Sequence, residues 1–329
     1  MKGSVLLLCA VFSLAAAPAA AETDFAGFSQ PAACTLGETC WIINYPDTID
    51  AQPGRDYRCG PRSYAHHNGT DFAPADVRSM SVGVPVVAAA PGTVAAMRDG
   101  QPDGAYLAHG LGAVKGKECG NGVVVRHAGG WETQYCHLKR GSVAVRKGET
   151  VARGARLGLI GLSGQAEFPH VHMTVRRAGM KIDPFTGKGL GGGCGETGES
   201  LWKKGEEPPY AASSVYAAGL ASGIPTAAAV RADVTLPGLP PKPAAELVAW
   251  GAVFGLAPGM TLSVELFGPQ GESLAKRDTA VDKPKAWQFA AAGRRAPVGG
   301  WPPGRYRAEV TVTEGGKTLS HRSAETEFR

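Results

Sequence analysis

The sequence predicts an all-β protein: an antiparallel β-sheet unit followed by a C-terminal immunoglobulin-like β-sandwich. Three observations predict it. Helix signals are few. Residues 82–185 break into short apolar runs punctuated by glycine. The last stretch alternates apolar and polar residues between hairpin turns. A chain of 329 residues also exceeds one typical domain.

The chain begins "MKGSVLLLCAVFSLAAAPAAAETDF". Lys2 supplies a basic start, Val5 to Ala15 an apolar run, and Ala19-Ala20-Ala21 a small-residue cleavage site. Residues 1–21 therefore read as a signal peptide, which implies a periplasmic or secreted product. No later segment is long and apolar enough to span a bilayer as a helix. Removing the signal takes away Cys9 and leaves Cys34, Cys40, Cys59, Cys119, Cys136 and Cys194. An even set in an exported chain points to disulfides. Many connectivities are possible, and Cys34–Cys40, Cys119–Cys136 and Cys59–Cys194 is the simplest set. A thiolate zinc site is disfavoured because no CxxC pair exists. The net charge of +5 is spread along the chain, which is compatible with an anionic polymer as partner but gives nucleic acid no support.

Residues 22–60 form an N-terminal segment holding disulfide cysteines. In residues 61–188 the runs "VPVVAA", "GTVAAM", "NGVVVRH", "TQYCHL", "ETVARG", "RLGLIGLSG" and "HVHMTVRR" read as strands of one sheet. "VVVRHAGGWETQYCH" reads as a hairpin turning at Gly129-Gly130. Residues 189–243 are rich in Gly, Pro and Ala and read as a linker with little core of its own. In residues 244–329, "FGPQGE" and "TEGGKT" supply the turns of the sandwich. That domain is a possible surface for a protein partner.

Chemistry concentrates in the histidines, of which there are only eight. In "FPHVHMTV", His170 and His172 are two apart, so on a strand they share a face about 6.6 Å apart. Val171 and Thr174 are expected to face an apolar layer on the other side. Such a pair suits a metal site, an acid–base pair, or one group of each kind. In "YAHHNGTDFAP", His67 and Asp71 bracket a glycine that allows a tight turn, so both can converge on one ion. With His172 they make two nitrogens and one oxygen, the ligand set of a catalytic zinc with an open fourth position. His66 is one residue out of register. "TQYCHL" places His137 at a strand end, and Tyr135 either lines a groove beside it or packs inward.

His-x-Gly-x-Asp, then Tyr-x-His-Leu, then Pro-His-x-His, in that order from about Tyr64 to Pro184, resembles the lysostaphin/LytM-type zinc metallopeptidases. The resemblance implies a LytM-type antiparallel fold and hydrolysis of peptide crosslinks or stem peptides in peptidoglycan. It implies Zn2+ held by His67, Asp71 and His172, with His137 and His170 as catalytic histidines that bind no metal. In "SGQAEFPHVH", Glu167-Phe168 replaces the smaller residues usual in that family, which reshapes the groove without touching a ligand position. A non-catalytic or autoinhibited wall-binding protein of the same fold is the alternative. His127 reads as structural, Asp183-Pro184 as a strand end, and His109 and His321 receive no role.

Overall fold

A computed structural model describes residues 25–49, 51–235 and 245–328. The expected signal peptide lies outside them. The first unit carries β1 (Cys40–Asn44), β2 (Thr70–Pro74), α1 (Val77–Val82), β3 (Pro85–Val87), β4 (Gly92–Arg98), α2 (Ala105–His109) and β5 (Asn121–Arg126). It continues with β6 (Trp131–Leu138), β7 (Thr150–Val151), β8 (Arg156–Leu159), β9 (Val171–Arg177) and β10 (Met180–Ile182). The chain is largely β-sheet, and β1, β2, β9, β6, β5, β4 and β7 lie in that order in one antiparallel sheet with β10 beside β9. The β5–β6 hairpin turns where expected, with Gly129 and Gly130 both at positive φ. One short pair, β3 with β8, stands apart.

The second unit carries β11 (Ser214–Ala221), α3 (Ala227–Ala232), β12 (Glu246–Leu256), β13 (Met260–Phe267), β14 (Ser273–Ala280), β15 (Lys285–Arg295), β16 (Gly304–Glu314) and β17 (Lys317–Phe328). Sheets β11-β12-β15 and β14-β13-β16-β17 enclose one core, to which Leu247, Val253, Leu262, Val264 and Val310 belong. This is a two-sheet sandwich. The expected linker, 189–243, turns out to carry β11, an edge strand hydrogen-bonded to β12. Its Gly/Ala-rich composition hides a strand whose partner supplies the bulk: Gly219 sits so close to Trp250 that a Cβ there would lie 2.5 Å from the indole ring.

β12 also departs from expectation. Its "LVAWGAVFGL" was expected to alternate apolar and polar, yet every residue is buried. Leu247, Ala249 and Val253 face the sandwich core, while Val248, Trp250, Ala252 and Phe254 face outward into a third apolar layer. Trp41, Ile43 and Ala73 of β1 and β2 complete that layer. A strand covered on both faces reads as a continuous apolar run. The two units are thus joined by a shared core. The buried Arg62 reinforces the joint: its guanidinium donates to the carbonyls of Ile42, Ile43, Ala211 and Phe254. Three disulfides, Cys34–Cys40, Cys59–Cys194 and Cys119–Cys136, match the simplest expected set.

Candidate metal centre

Strand register builds the site. Asn44 pairs with Asp71, Asp71 with His172, and His172 with Cys136, so one row crosses β1, β2, β9 and β6. His67 reaches the same point from the loop before β2. His137, next to Cys136, has φ 65°, a left-handed backbone that breaks the two-residue alternation of β6. That break sends Tyr135 and His137 to different environments. Tyr135 is fully buried, and its hydroxyl accepts the Ala89 N–H at 2.8 Å. Tyr135 therefore packs inward and does not line the groove.

His67, Asp71 and His172 bring one ligand atom each to within 4.8 Å of one another. A carbonyl only accepts, so the ring nitrogen facing it must carry hydrogen. His67 Nδ1–H donates to the Tyr45 carbonyl at 2.7 Å, which turns Nε2 inward. Nε2 lies 3.0 Å from Asp71 Oδ2 and 3.1 Å from His172 Nδ1. His172 Nδ1 is 2.8 Å from Asp71 Oδ1, while its Nε2 faces Asn68 Oδ1 at 3.2 Å and Thr174 Oγ1 at 3.0 Å. Three lone-pair donors thus crowd one buried point, each oriented by an outer partner. Such a point demands positive charge.

The titration directions say the same. Burial pushes Asp71 up, but the neighbouring His67 and His170 charges and hydrogen bonds from the ring nitrogens hold it well below the usual carboxylate range. Burial pulls His67 down, yet the charge and hydrogen bond of Asp71, with the Tyr45 carbonyl, leave it raised. His172 is lowered, by burial first, against the opposing pull of Asp71. Two imidazoles and one carboxylate fit zinc in chemistry and number.

Thr174 corrects an expectation: it shares the His172 side of β9, as its even spacing requires, and Val171, Met173 and Val175 fill the core instead. Gly69 has a different purpose from the expected one. Its φ is not positive, but a Cβ there would lie 2.5 Å from His172 Nε2. The glycine gives close approach, not a turn.

His137 and His170 stand beside the cluster, their ring centres 4.7 Å apart. His137 Nδ1–H donates to the Ser163 carbonyl at 2.8 Å, and His170 Nδ1–H to the Phe168 carbonyl at 2.7 Å. Each therefore keeps Nε2 free of backbone, and His170 Nε2 lies 3.6 Å from Asp71 Oδ1. Burial, then the charges of His170 and His172, hold His137 well below the ordinary imidazole value, so it is neutral at pH 7. His127 donates to the Pro91 carbonyl and contacts Thr133 Oγ1, a structural pairing.

Asn44 was not foreseen. Its amide donates to Asp71 Oδ2 at 2.9 Å, and nothing in its local sequence marks it. Ser163 reaches His137 through its backbone carbonyl, which no motif reveals. A cavity of about 440 Å³ opens beside Asp71 and His170, walled by residues of both units. A second, of about 330 Å³, opens beside His67, His137 and His172 and is lined by Gln134, Arg176 and Lys181. Tyr64 and Gln165 border both.

Residues 65–184 match the model described as peptidase family M23. Over 119 residues the chain is 35% identical to the peptidoglycan DD-endopeptidase ShyA of Vibrio cholerae, covering 36% of this chain and 22% of that protein. Over 84 residues it is 37% identical to the DD-carboxypeptidase/endopeptidase Mpg of Neisseria meningitidis, covering 24% of this chain and 18% of that protein. A zinc-containing peptidase structure from Vibrio cholerae aligns at 25% identity and TM-score 0.28, over 44% of this chain and 39% of that one. The match thus spans about a fifth of these curated relatives.

Proposed function

We propose that the chain, whose residues 65–184 match the model of peptidase family M23, is a zinc-dependent endopeptidase that hydrolyses peptide crosslinks or stem peptides of peptidoglycan outside the cytoplasm. The observation that carries this is the convergence of His67 Nε2, Asp71 and His172 Nδ1 beside two histidines whose tautomers are already fixed. The relatives named as peptidoglycan endopeptidases supply the substrate class.

His67, Asp71 and His172 would hold the ion. When bound, zinc supplies a water of pKa near ~7 and polarises a carbonyl. The protein's own groups do the rest. Neutral His137, with Nδ1 committed to Ser163, offers Nε2 as acceptor for the proton of the attacking water. His170, held by the Phe168 carbonyl, directs Nε2 toward the same centre, where as the imidazolium it would donate to the developing oxyanion, and the proton taken up by His137 would pass to the leaving amine. Asn44 fixes the Asp71 carboxylate plane. The two cavities beside the cluster, which share Tyr64 and Gln165, would give the peptides of a crosslink room next to the ligands.

The test is digestion of purified crosslinked peptidoglycan, with muropeptides separated by chromatography. Crosslinked dimers should fall and monomers rise, and a chelator should stop the change. Unchanged dimers would overturn the hydrolase and favour a non-catalytic or autoinhibited wall-binding protein.

A further inference from the structure

Resting on the hydrolase reading above, we propose that Arg231 of α3, laid against Trp287 of the sandwich, binds a free carboxylate of the peptide on one side of the scissile bond. The C-terminal unit then selects the substrate. The cavity beside Asp71 and His170 is walled on its far side by Phe254, Trp287 and Arg231, and on its near side by Phe168. Its lining is mainly apolar and aromatic, and its two carboxylates, Asp71 and Glu167, belong to the peptidase unit, so an anion entering it would be partly stripped of water and would lean on Arg231 at the sandwich side.

Arg231 is built to receive such an anion. Its guanidinium carbon lies 4.2 Å from the centre of the Trp287 ring. A guanidinium held over a ring at this distance can keep its N–H fork for a carboxylate. Among the described residues the guanidinium has no carboxylate partner. The backbone beneath it is clamped to the peptidase unit: Val230 is fully buried, Val234 N–H donates to Asp76 Oδ2 at 2.6 Å, and Asp233 pairs with Arg78 at 3.5 Å.

A continuous set of contacts ties this cation to the reaction centre. Trp287 Nε1–H donates to the Tyr216 hydroxyl at 2.6 Å, and Tyr216 stacks on Phe254 at 4.2 Å. Phe254 meets Phe168 edge-on at 5.2 Å, and the Phe168 carbonyl holds His170. Phe168 is the bulky residue that departs from the family pattern, and it is the one that touches the sandwich. Stem peptides are acidic, and a crosslink leaves carboxylates that are not consumed in amide bonds. That chemistry complements a cation in an aromatic groove.

The experiment measures calorimetric affinity for a crosslinked muropeptide dimer and for the same dimer with its carboxyl groups converted to primary amides. Zinc-loaded full-length protein carrying His137→Ala is used so that no turnover occurs. The free acid should bind about tenfold more tightly than the amide, and Arg231→Gln should bring the two within about twofold while Arg231→Lys keeps part of the difference. Unchanged discrimination in Arg231→Gln, or equal weakening toward both dimers, would overturn the inference. Cleavage by protein with native His137 is scored separately. Discrimination without cleavage would refute the hydrolase and leave the Arg231 site standing, whereas cleavage without discrimination would refute the Arg231 site alone.

Discussion

Gly69 and Asp183 illustrate how single positions hold or limit this molecule. A Cβ at Gly69 would strike His172 Nε2 and the Met173 carbonyl, both within 2.6 Å. Gly69→Ala should therefore displace a ligand and weaken zinc binding about tenfold or more, as outer-partner changes do at metal sites. Competition with a chromogenic chelator measures it, and unchanged affinity would show that the close approach is dispensable. Asp183 is buried, its Oδ2 lacks a partner, and burial pushes its pKa up to about 7 despite a hydrogen bond from Phe185 N–H. Its folded pKa exceeds the unfolded value, so no penalty exists below about pH 4. The penalty grows as pH rises from there and levels off above about pH 7. Asp183→Asn should leave stability nearly unchanged at pH 4 and raise it by up to about 4 kcal/mol at pH 8, read from denaturant melts. The site residues were legible because they come in motifs of fixed spacing. Asn44, Ser163 and the Tyr45 carbonyl were not, because each acts through a contact between segments far apart in sequence. The left-handed backbone at His137 was equally hidden, which is why Tyr135 seemed able to share its side.

Among the elements, β9 was read nearly whole from "HVHMTVRR", since strand alternation sets its two faces. The β5–β6 hairpin followed from its paired glycines. β12 misled, because a strand packed on two layers loses the alternation that marks a strand packed on one. β11 was missed because Trp250, its partner's side chain, supplies the volume that its own glycine and alanines lack. The Cys119–Cys136 disulfide closes a sequence separation of 17 and holds the end of β6 where His137 turns. The Cys119 carbonyl also accepts the His137 N–H at 2.8 Å. Replacing both cysteines by serine should lower stability by about 3 kcal/mol. It should also slow cleavage with zinc content unchanged. Stability lost with full activity retained would separate the disulfide from the positioning of His137.

In the whole molecule, the apolar layer of Trp41, Ile43, Ala73, Trp250 and Phe254 makes the two units interdependent. Arg62 is the polar pin through that layer. Arg62→Met would leave the buried carbonyls of Ile42, Ile43 and Phe254 without their donor and should lower the melting stability by about 3 kcal/mol or more. A loss below about 1 kcal/mol would mean that the apolar layer suffices. The division into two β units was visible from the change in residue pattern, but their fusion was not, because a shared core is a long-range property.

The most direct test of the central claim is zinc content measured beside crosslink digestion for the wild type, His172→Ala, His137→Ala and His170→Ala. The account predicts about one zinc per chain in all but His172→Ala, and cleavage reduced about a hundredfold or more in both His137→Ala and His170→Ala. Zinc retained by His172→Ala, or cleavage retained without His137 and His170, would contradict the division of labour between the ligands and the two flanking histidines.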